Sequence, residues 1–307
     1  MTINTRPLQT EEDWWRVRQL LIETYPLTPV DFNWEIRRWD GQRFHRAQDS
    51  LQNAAWRERI RLWETEEGRL VGAAFPEDGG DVHLQLHPDY RHIEADMLAW
   101  AEAHLPAPAE TGPERELYIP VFDYDEPRQR LLEQRGWEKT QYGWVVRRLR
   151  FGNTPLPPVN MAEGYTLRTT RPGDGTDYQR MADVLNGGFN RTIHTADEYR
   201  VFCTGSPSFR HDLNLVAEAP DGSFASHVGV TYDEVNQRGI FEPVCTHPAH
   251  RRNHLAQTLM FEGLHRLKAL GATDVYVGAG DAVAANALYE SIGFTEAYRG
   301  GIWRKTF

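Results

Sequence analysis

Phe241 to Phe294, FEPVCTHPAHRRNHLAQTLMFEGLHRLKALGATDVYVGAGDAVAANALYESIGF, reads as a strand, a tight basic turn, a long helix, an apolar strand and a short helix. The turn, His250-Arg251-Arg252-Asn253-His254, falls between an extended segment and a helical one. Several backbone N–H groups at a helix start therefore face outward, and the positive end of the helix dipole adds to them. Such a place binds phosphate. The rest of the chain is read by asking which anion that is.

The chain has 307 residues, enough for two domains of ordinary size. Its 40% hydrophobic content, with no low-complexity block, specifies folded and well-cored structure. The net charge of −10 argues against nucleic-acid or anionic-membrane partners, which need a basic field. Two cysteines, Cys203 and Cys245, do not make a disulfide framework in a chain this long. No apolar run reaches the roughly 18 residues of a membrane span. The opening residues, MTINTRPLQTEEDWW, carry no signal-peptide core. The expectation is a cytoplasmic enzyme or binding protein, monomer or homodimer.

Before that stretch, residues 2–8 read as a strand and Glu11 to Thr24 as an amphipathic helix ended by Pro26 and Pro29. Residues 30–64 carry Trp34, Trp39, Trp56 and Trp63 at loosely helical spacing, an aromatic stripe read as core or interface. Leu62–Thr65 and Leu70–Phe75 form a hairpin, Asp81–Leu86 a further strand, and a helix runs from about Ile93 to Leu105. Leu117–Phe122 is an apolar strand, Glu126 to Arg135 a helix stopped by Gly136, and Trp137–Leu149 a final pair of strands. FGNTPLPPVNMAEG at 151–164 is aperiodic and proline-rich, a linker. The second half then predicts a strand at Tyr165–Thr169, helices from Asp174 and Thr195, and strands at Asn214–Glu218, Ser223–Thr231 and Arg238–Thr246.

The two halves repeat. HPDYR at 87–91 matches HPAHR at 247–251 with an offset of 160 residues. Leu132–Trp137 matches Tyr289–Phe294, and Val71-Gly72 matches Val228-Gly229, both at 157. The expected fold is α/β: two tandem copies, 1–150 and 165–307, each a mixed, mostly antiparallel sheet flanked by helices.

In the second copy Arg251-Arg252-Asn253-His254-Leu255-Ala256 opens a helix after a strand, and Ala285-Asn286-Ala287-Leu288-Tyr289-Glu290-Ser291-Ile292-Gly293-Phe294 ends a later one. These motifs resemble the acyl-CoA signature of the GCN5-related N-acetyltransferase (GNAT) superfamily, well over 165–307 and weakly over 1–150. The resemblance implies acetyl-CoA as co-substrate and an amine, on a small molecule or peptide, as acceptor. The pyrophosphate would sit on the amides of Arg252, Asn253, His254, Leu255 and Ala256, with charge-assisted contacts from Arg251 and Arg252. Val244, Cys245 and Thr246 would line an edge where strands splay, open to the pantetheine arm. Pro243, which cannot donate to a ladder, fits an edge there. By the same resemblance an N–H near Val244 or Cys245 polarises the acetyl carbonyl, Asn286 holds the pantetheine, and Tyr289 protonates the leaving thiolate. The plainer reading of Tyr289 is a buried aromatic ahead of a helix-ending glycine. Glu242 is the candidate base, sharing strand parity with Val244 and Thr246; its plainer reading is an exposed strand carboxylate. Asp233 and Glu234, at the neighbouring hairpin, would attract a cationic substrate or simply face water.

Two departures from the family pattern stand out. His254 takes the place of the glycine that lets the backbone approach the pyrophosphate. In the first copy, Arg91-His92-Ile93-Glu94-Ala95-Asp96 puts two carboxylates at the corresponding turn, and Leu132 stands at the place of Tyr289. That copy is expected to have lost acetyl-CoA chemistry. Three other signals are set aside. Gly278-Ala279-Gly280 lacks the second strand of a dinucleotide fold. His247, His250 and His254 straddle a turn without an acid or cysteine pattern, so no metal site is expected. Cys245 beside His247 suggests a nucleophile, against a direct-transfer reading in which it is a buried strand cysteine. A non-catalytic acyl-CoA-binding or regulatory module is the rival to the enzyme.

Overall fold

The computed structural model describes residues 2–153, 155–280 and 282–307. It divides into two compact units, one made of Met1–Gln42, Ser50–Val145 and Tyr298–Phe307, the other of Arg43–Asp49 and Val146–Ala297.

The first unit opens with β1 (Ile3–Pro7) and α1 (Glu11–Thr24). Thr10 accepts the Asp13 N–H and Asp13 reaches back to the backbone before the helix, a capping box that fixes where α1 begins. There follow α2 (Ile36–Phe44), α3 (Ala54–Glu58), β2 (Arg61–Thr65), β3 (Leu70–Phe75) and β4 (His83–Leu86). β1-β2-β3-β4 pair in that order as an antiparallel sheet. Of the tryptophan stripe, Trp39 and Trp63 are core and Trp34 and Trp56 half-buried: Trp14 stacks on Trp39 at 6.3 Å, and Trp39 and Trp34 meet Phe75 at 4.8 and 5.0 Å. After α4 (Glu94–His104) come β5 (Ala107–Pro108), β6 (Arg115–Phe122), α5 (Glu126–Gln134) and β7 (Glu138–Arg150). The final pair of strands expected over Trp137–Leu149 is thus one long strand. Its residues up to Val145 lie in the first unit and the remainder in the second.

The second unit continues with β8 (Thr166–Thr169), α6 (Gly175–Phe189), α7 (Ala196–Gly205), β9 (Asn214–Glu218), β10 (Phe224–Asp233), β11 (Arg238–Thr246), α8 (Leu255–Ala269), β12 (Asp274–Ala279) and α9 (Val283–Ile292). β8, β9, β10 and β11 are antiparallel neighbours, and β12 joins β11 in parallel. The sheet is mixed, as expected. Its core gathers Leu215, Val228, Val230 and Phe241 from the strands with Leu259, Met260, Leu264 and Leu267 of α8. A smaller cluster, around Met181, Val184, Tyr199 and Cys245, packs beneath α6 and α7.

The chain closes on β13 (Glu296–Thr306), whose residues from Gly300 on pair antiparallel with β6 in the first unit. A border at residue 150 therefore does not describe the chain's packing, because the last strand completes the first unit. The expected linker at 151–164, apart from Thr154, which lies outside the described residues, is irregular but packed. His265 meets Pro157 O at 2.8 Å, Thr258 donates to Asn160 O at 3.3 Å, and Phe151, Leu156 and Met161 lean on the core. Among the described residues no helix is long and apolar enough to cross a membrane.

The repeat is visible bond by bond at two of its three anchors. His87 N–H donates to Val71 O and His247 N–H to Ala225 O, each at 2.9 Å. Trp137 N–H returns to Leu132 O and Phe294 N–H to Tyr289 O, each at 3.0 Å, after Gly136 and Gly293 turn left-handed. The third anchor is corrected. Pairing sets Val71-Gly72 against Ala225-Ser226, so the match to Val228-Gly229 is three residues out of register.

Candidate active site

β11 and β12 pair from Arg238↔Asp274 to Phe241↔Val277 and then separate. Past that point β11 keeps, among the described residues, only β10 as paired neighbour, in the order Val228↔Val244, His227↔Cys245 and Ser226↔Thr246. The His247 N–H bond to Ala225 O places His247, and by alternation Cys245, at positions hydrogen-bonded to β10. The polar backbone of Val244 and Thr246 is thereby turned the other way, toward the gap that β12 leaves. Of the two residues named for carbonyl polarisation, Val244 presents its N–H to the gap and Cys245 does not.

Between Val228 and Val230 of β10, β11 carries one extra residue, at Glu242–Pro243. Gly229 makes room for it: a Cβ there would stand 2.6 Å from Glu242 O. This bulge corrects the parity expected for Glu242. Phe241 and Val244, three apart, both meet the α8 core, while Cys245 turns toward α6. Glu242 consequently does not alternate onto the face of Val244 and Thr246. It is half-buried and close enough to Tyr289 for its charge to act on the phenol.

Tyr289 is only 5% exposed and belongs to the α8 core. Burial, with the nearby Glu242 and Cys245, pushes its hydroxyl up to about 12. Among the described residues no protein group hydrogen-bonds this hydroxyl, and it is not among the buried orphaned polar atoms, so the oxygen itself reaches solvent. Cys245 is likewise pushed up to about 12 by burial, its thiol directed at Val184 O at 3.7 Å. α6 reaches it through Gly187 and Gly188, where a Cβ would collide with His247 and Cys245.

The basic turn is built as an open loop. Arg252 and His254 both have positive φ, 66° and 54°. His254 forms the cap of α8 without any side-chain hydrogen bond. The N–H groups of 254–257 fall in the first turn of α8, where no preceding helical carbonyl accepts them, and residues 251–254 are exposed. Asn253 braces the loop through His250 O at 3.1 Å and Tyr165 Oη at 3.3 Å, and His250 meets the same phenol at 3.0 Å. Arg251 turns back on Thr246 O and Gly188 O at 3.5 and 3.4 Å, while Arg252 extends into solvent. Leu255 is buried beneath the helix start and Ala256 half-buried.

Asn286 is engaged at the entry to its own helix. Its NH2 donates to Gly280 O and Ala282 O, each at 3.1 Å, and its Oδ1 accepts from Arg147 Nε at 3.0 Å. Gln129 of the first copy does the same, donating to Phe122 O and Asp123 O at 3.2 and 3.0 Å. The shared job is bracing the entry to the helix. Arg147, unremarked in the sequence, also reaches Glu290 at 2.6 Å and Phe294 O at 3.4 Å, so one buried guanidinium clamps α9 on either side of Tyr289. Asp233 is buried and spent on Asn236, accepting from its backbone and side chain at 3.3 and 2.8 Å.

One trio of metal-type side chains converges in the first unit: Glu77, Asp81 and His83, within 4.8 Å of one another. Trp34 Nε1–H donates to His83 Nδ1 at 2.9 Å, which fixes the neutral ring's proton on Nε2, facing the carboxylates. In that tautomer the trio offers a metal no imidazole lone pair.

Residues 180–294 match the family model described as Acetyltransferase (GNAT) family. No curated protein matches the sequence. Among solved structures, a tandem GNAT protein from the clavulanic acid biosynthesis pathway aligns over 99% of this chain and 98% of its own, at TM-score 0.67 and 16% identity. A GCN5-related N-acetyltransferase from Sphaerobacter thermophilus aligns over 99% and 95%, at TM-score 0.64 and 19% identity. An acetyltransferase of the GNAT family from Colwellia psychrerythraea aligns over 99% and 100%, at TM-score 0.58 and 10% identity. At such identities the likeness is one of fold, and it extends over both copies.

Proposed function

We propose, from the premise that residues 180–294 are an acetyltransferase domain of the GNAT family, that the second unit is an N-acyltransferase carrying an acetyl group from acetyl-CoA to a primary amine. The observation that carries this reading is Tyr289, a buried phenol with no protein partner among the described residues, near a strand whose neighbour has moved away.

Bound acetyl-CoA supplies an activated thioester; every other part of the chemistry falls to this chain. The first-turn amides of 254–257 at the start of α8 hold a pyrophosphate, with Arg252 free to add its charge. The outward backbone of Val244 and Thr246 pairs with an amide-bearing arm as a missing strand would. The Val244 N–H, fixed in the sheet and already turned to the gap, polarises the acyl carbonyl without reorganising. Glu242 takes the proton that the attacking amine must lose, directly or through water. Tyr289, neutral because burial holds its hydroxyl at about 12, keeps a proton for the departing sulfur. Alignment of the amine and the thioester accounts for much of the remaining acceleration.

A non-catalytic acyl-CoA-binding module is the second reading, favoured by one feature, the His254 side chain at the centre of the phosphate loop. Two measurements separate them. Acetyl-CoA at 100 times its Kd stabilises a one-site protein by about 2.7 kcal/mol, read as a thermal shift. No shift at millimolar acetyl-CoA rejects both readings. With binding established, CoA thiol release across a panel of amines should fall roughly 100-fold or more in Tyr289→Phe. Binding with no release by either protein leaves the module.

A further inference from the structure

The second unit's gap has a counterpart in the first unit, and there it is filled. The turn after β4 repeats the turn after β11: His87 Nδ1 accepts Asp89 N–H and His247 Nδ1 accepts Ala249 N–H, each at 3.3 Å. The parallel bridge Asp81↔Tyr118 stands where Phe241↔Val277 stands, at the last pairing before the strands part. On this frame Leu86 occupies the place of Thr246. His87 N–H is bonded to Val71 O, so the polar backbone of Leu86 is turned outward in the same way.

In the second unit that outward backbone is open apart from the long Arg251 contact. In the first, both of its groups are taken by Asn33: Leu86 N–H donates to Asn33 Oδ1 at 2.8 Å, and Asn33 Nδ2 donates to Leu86 O at 3.0 Å. A side-chain amide thus makes the two bonds that the amide of an extended ligand arm would make. Its neighbours hold it there. Asn33 Nδ2 also donates to Thr24 Oγ1 at 2.8 Å, and Trp34 N–H donates to Gln85 Oε1 at 2.6 Å. Phe32 lies 5.0 Å from the guanidinium of Arg91 and 5.0 Å from that of Arg128.

The anion end is closed too. Glu94 stands at the position of His254, but with α-helical backbone, φ −60° instead of 54°. Its buried carboxylate binds Arg91, the counterpart of Arg251, at 3.1 Å and also Arg128. Asp125 takes Arg91 as well. The catalytic position holds Leu132, fully buried.

We propose that the first unit is an acyl-CoA fold closed by its own chain. Residues 32–34 occupy the slot of the acyl-CoA arm, Asn33 supplies the arm's amide, and Glu94 supplies the anion. The proposal rests on the acyl-CoA reading of the second unit, and it makes each chain a one-site protein. Leaving Leu86 unpaired and buried would be costly, so Asn33 is also what allows the fold to persist without a ligand.

The test is residue-resolved hydrogen exchange of the intact protein with and without acetyl-CoA, together with calorimetric stoichiometry. Expected are one acetyl-CoA per chain, protection gained at 244–258, and no change at 84–98. The Leu86 amide should already exchange more slowly than that of Thr246 before ligand is added. In Asn33→Ala the Leu86 amide should exchange roughly tenfold faster; should that variant not fold, the wild-type measurements decide alone. Protection gained at 84–98, two equivalents of acetyl-CoA per chain, or a Leu86 amide as fast as Thr246 in the free protein overturns the proposal and leaves the second-unit reading standing. If neither segment responds, the acyl-CoA reading falls first and the proposal with it.

Discussion

His254 invites a direct measurement, because its backbone conformation and the proposed phosphate-binding role of its loop make opposite demands on the side chain. At φ 54° and ψ 20° it is left-handed, and its side chain makes no capping hydrogen bond. For an L-residue that conformation costs roughly 1–2 kcal/mol. Glycine escapes this cost but gives up roughly 0.5–1 kcal/mol more backbone entropy on folding. His254→Gly should therefore stabilise the chain by about 0.5–1 kcal/mol, whereas His254→Ala keeps the strain and should match the wild type or fall below it. Urea denaturation of the three proteins resolves a difference of this size. Removing the imidazole also lets the backbone approach an anion, and one added amide contact to a charged group is worth about 1.5 kcal/mol or more. Acetyl-CoA Kd should thus fall about tenfold in His254→Gly. If glycine is no more stable than alanine, the left-handed backbone carries no strain and the reasoning fails. If Kd rises instead, His254 is itself a phosphate ligand and not an obstruction.

Three further outcomes are expected. The Tyr289 hydroxyl is pushed up to about 12, so the phenol stays protonated through the neutral and mildly alkaline range; kcat should show no alkaline loss below about pH 11 that Tyr289→Phe removes. On the proposed direct transfer, Cys245, held as a thiol by burial, takes no part in the chemistry. Cys245→Ala should cost about 1–2 kcal/mol of stability as a small cavity while turnover stays within a few-fold, and loss of turnover with acetyl-CoA binding intact would refute direct transfer. Burial opposes ionisation of Glu198, but hydrogen bonds from His194 and His45, each at 3.4 Å, outweigh it and hold the carboxyl down at about 2. A depressed carboxylate stabilises the fold above its unfolded pKa and loses that contribution as pH falls toward 2. Acid unfolding of the wild type should therefore steepen between about pH 4.5 and 2, and Glu198→Gln should flatten that slope.

The parts of the site that are local in sequence are legible from the residues alone. A strand, a basic turn and a helix within twenty residues must present amides at the helix start, and a His-Pro pair, His87-Pro88 in one copy and His247-Pro248 in the other, sets the turn by the same hydrogen bonds. Gly136 and Gly293 mark helix ends because only a left-handed residue closes them. Parity fails at Glu242, since alternation assumes an unbroken ladder and one extra residue in β11 is invisible without its partner strand. The bracing bonds of Asn286 are hidden for a similar reason. Its spacing to Tyr289 says that the two share a helix, not that its amide is already committed to Gly280 and Ala282.

By itself the sequence determined the class of fold, the doubling of the chain, the basic turn ahead of a helix and the tyrosine ahead of a helix-ending glycine, because each follows from residues close together or from a pattern that recurs. Only tertiary structure decided which backbone groups face the gap, that Arg147 clamps α9, that the last strand completes the first unit, and that Asn33 fills the first unit's slot. Asn33 lies 53 residues from Leu86 and Arg147 lies 139 from Asn286. Pairings at such separations are fixed by packing across the sheet, and no periodicity in the chain announces them.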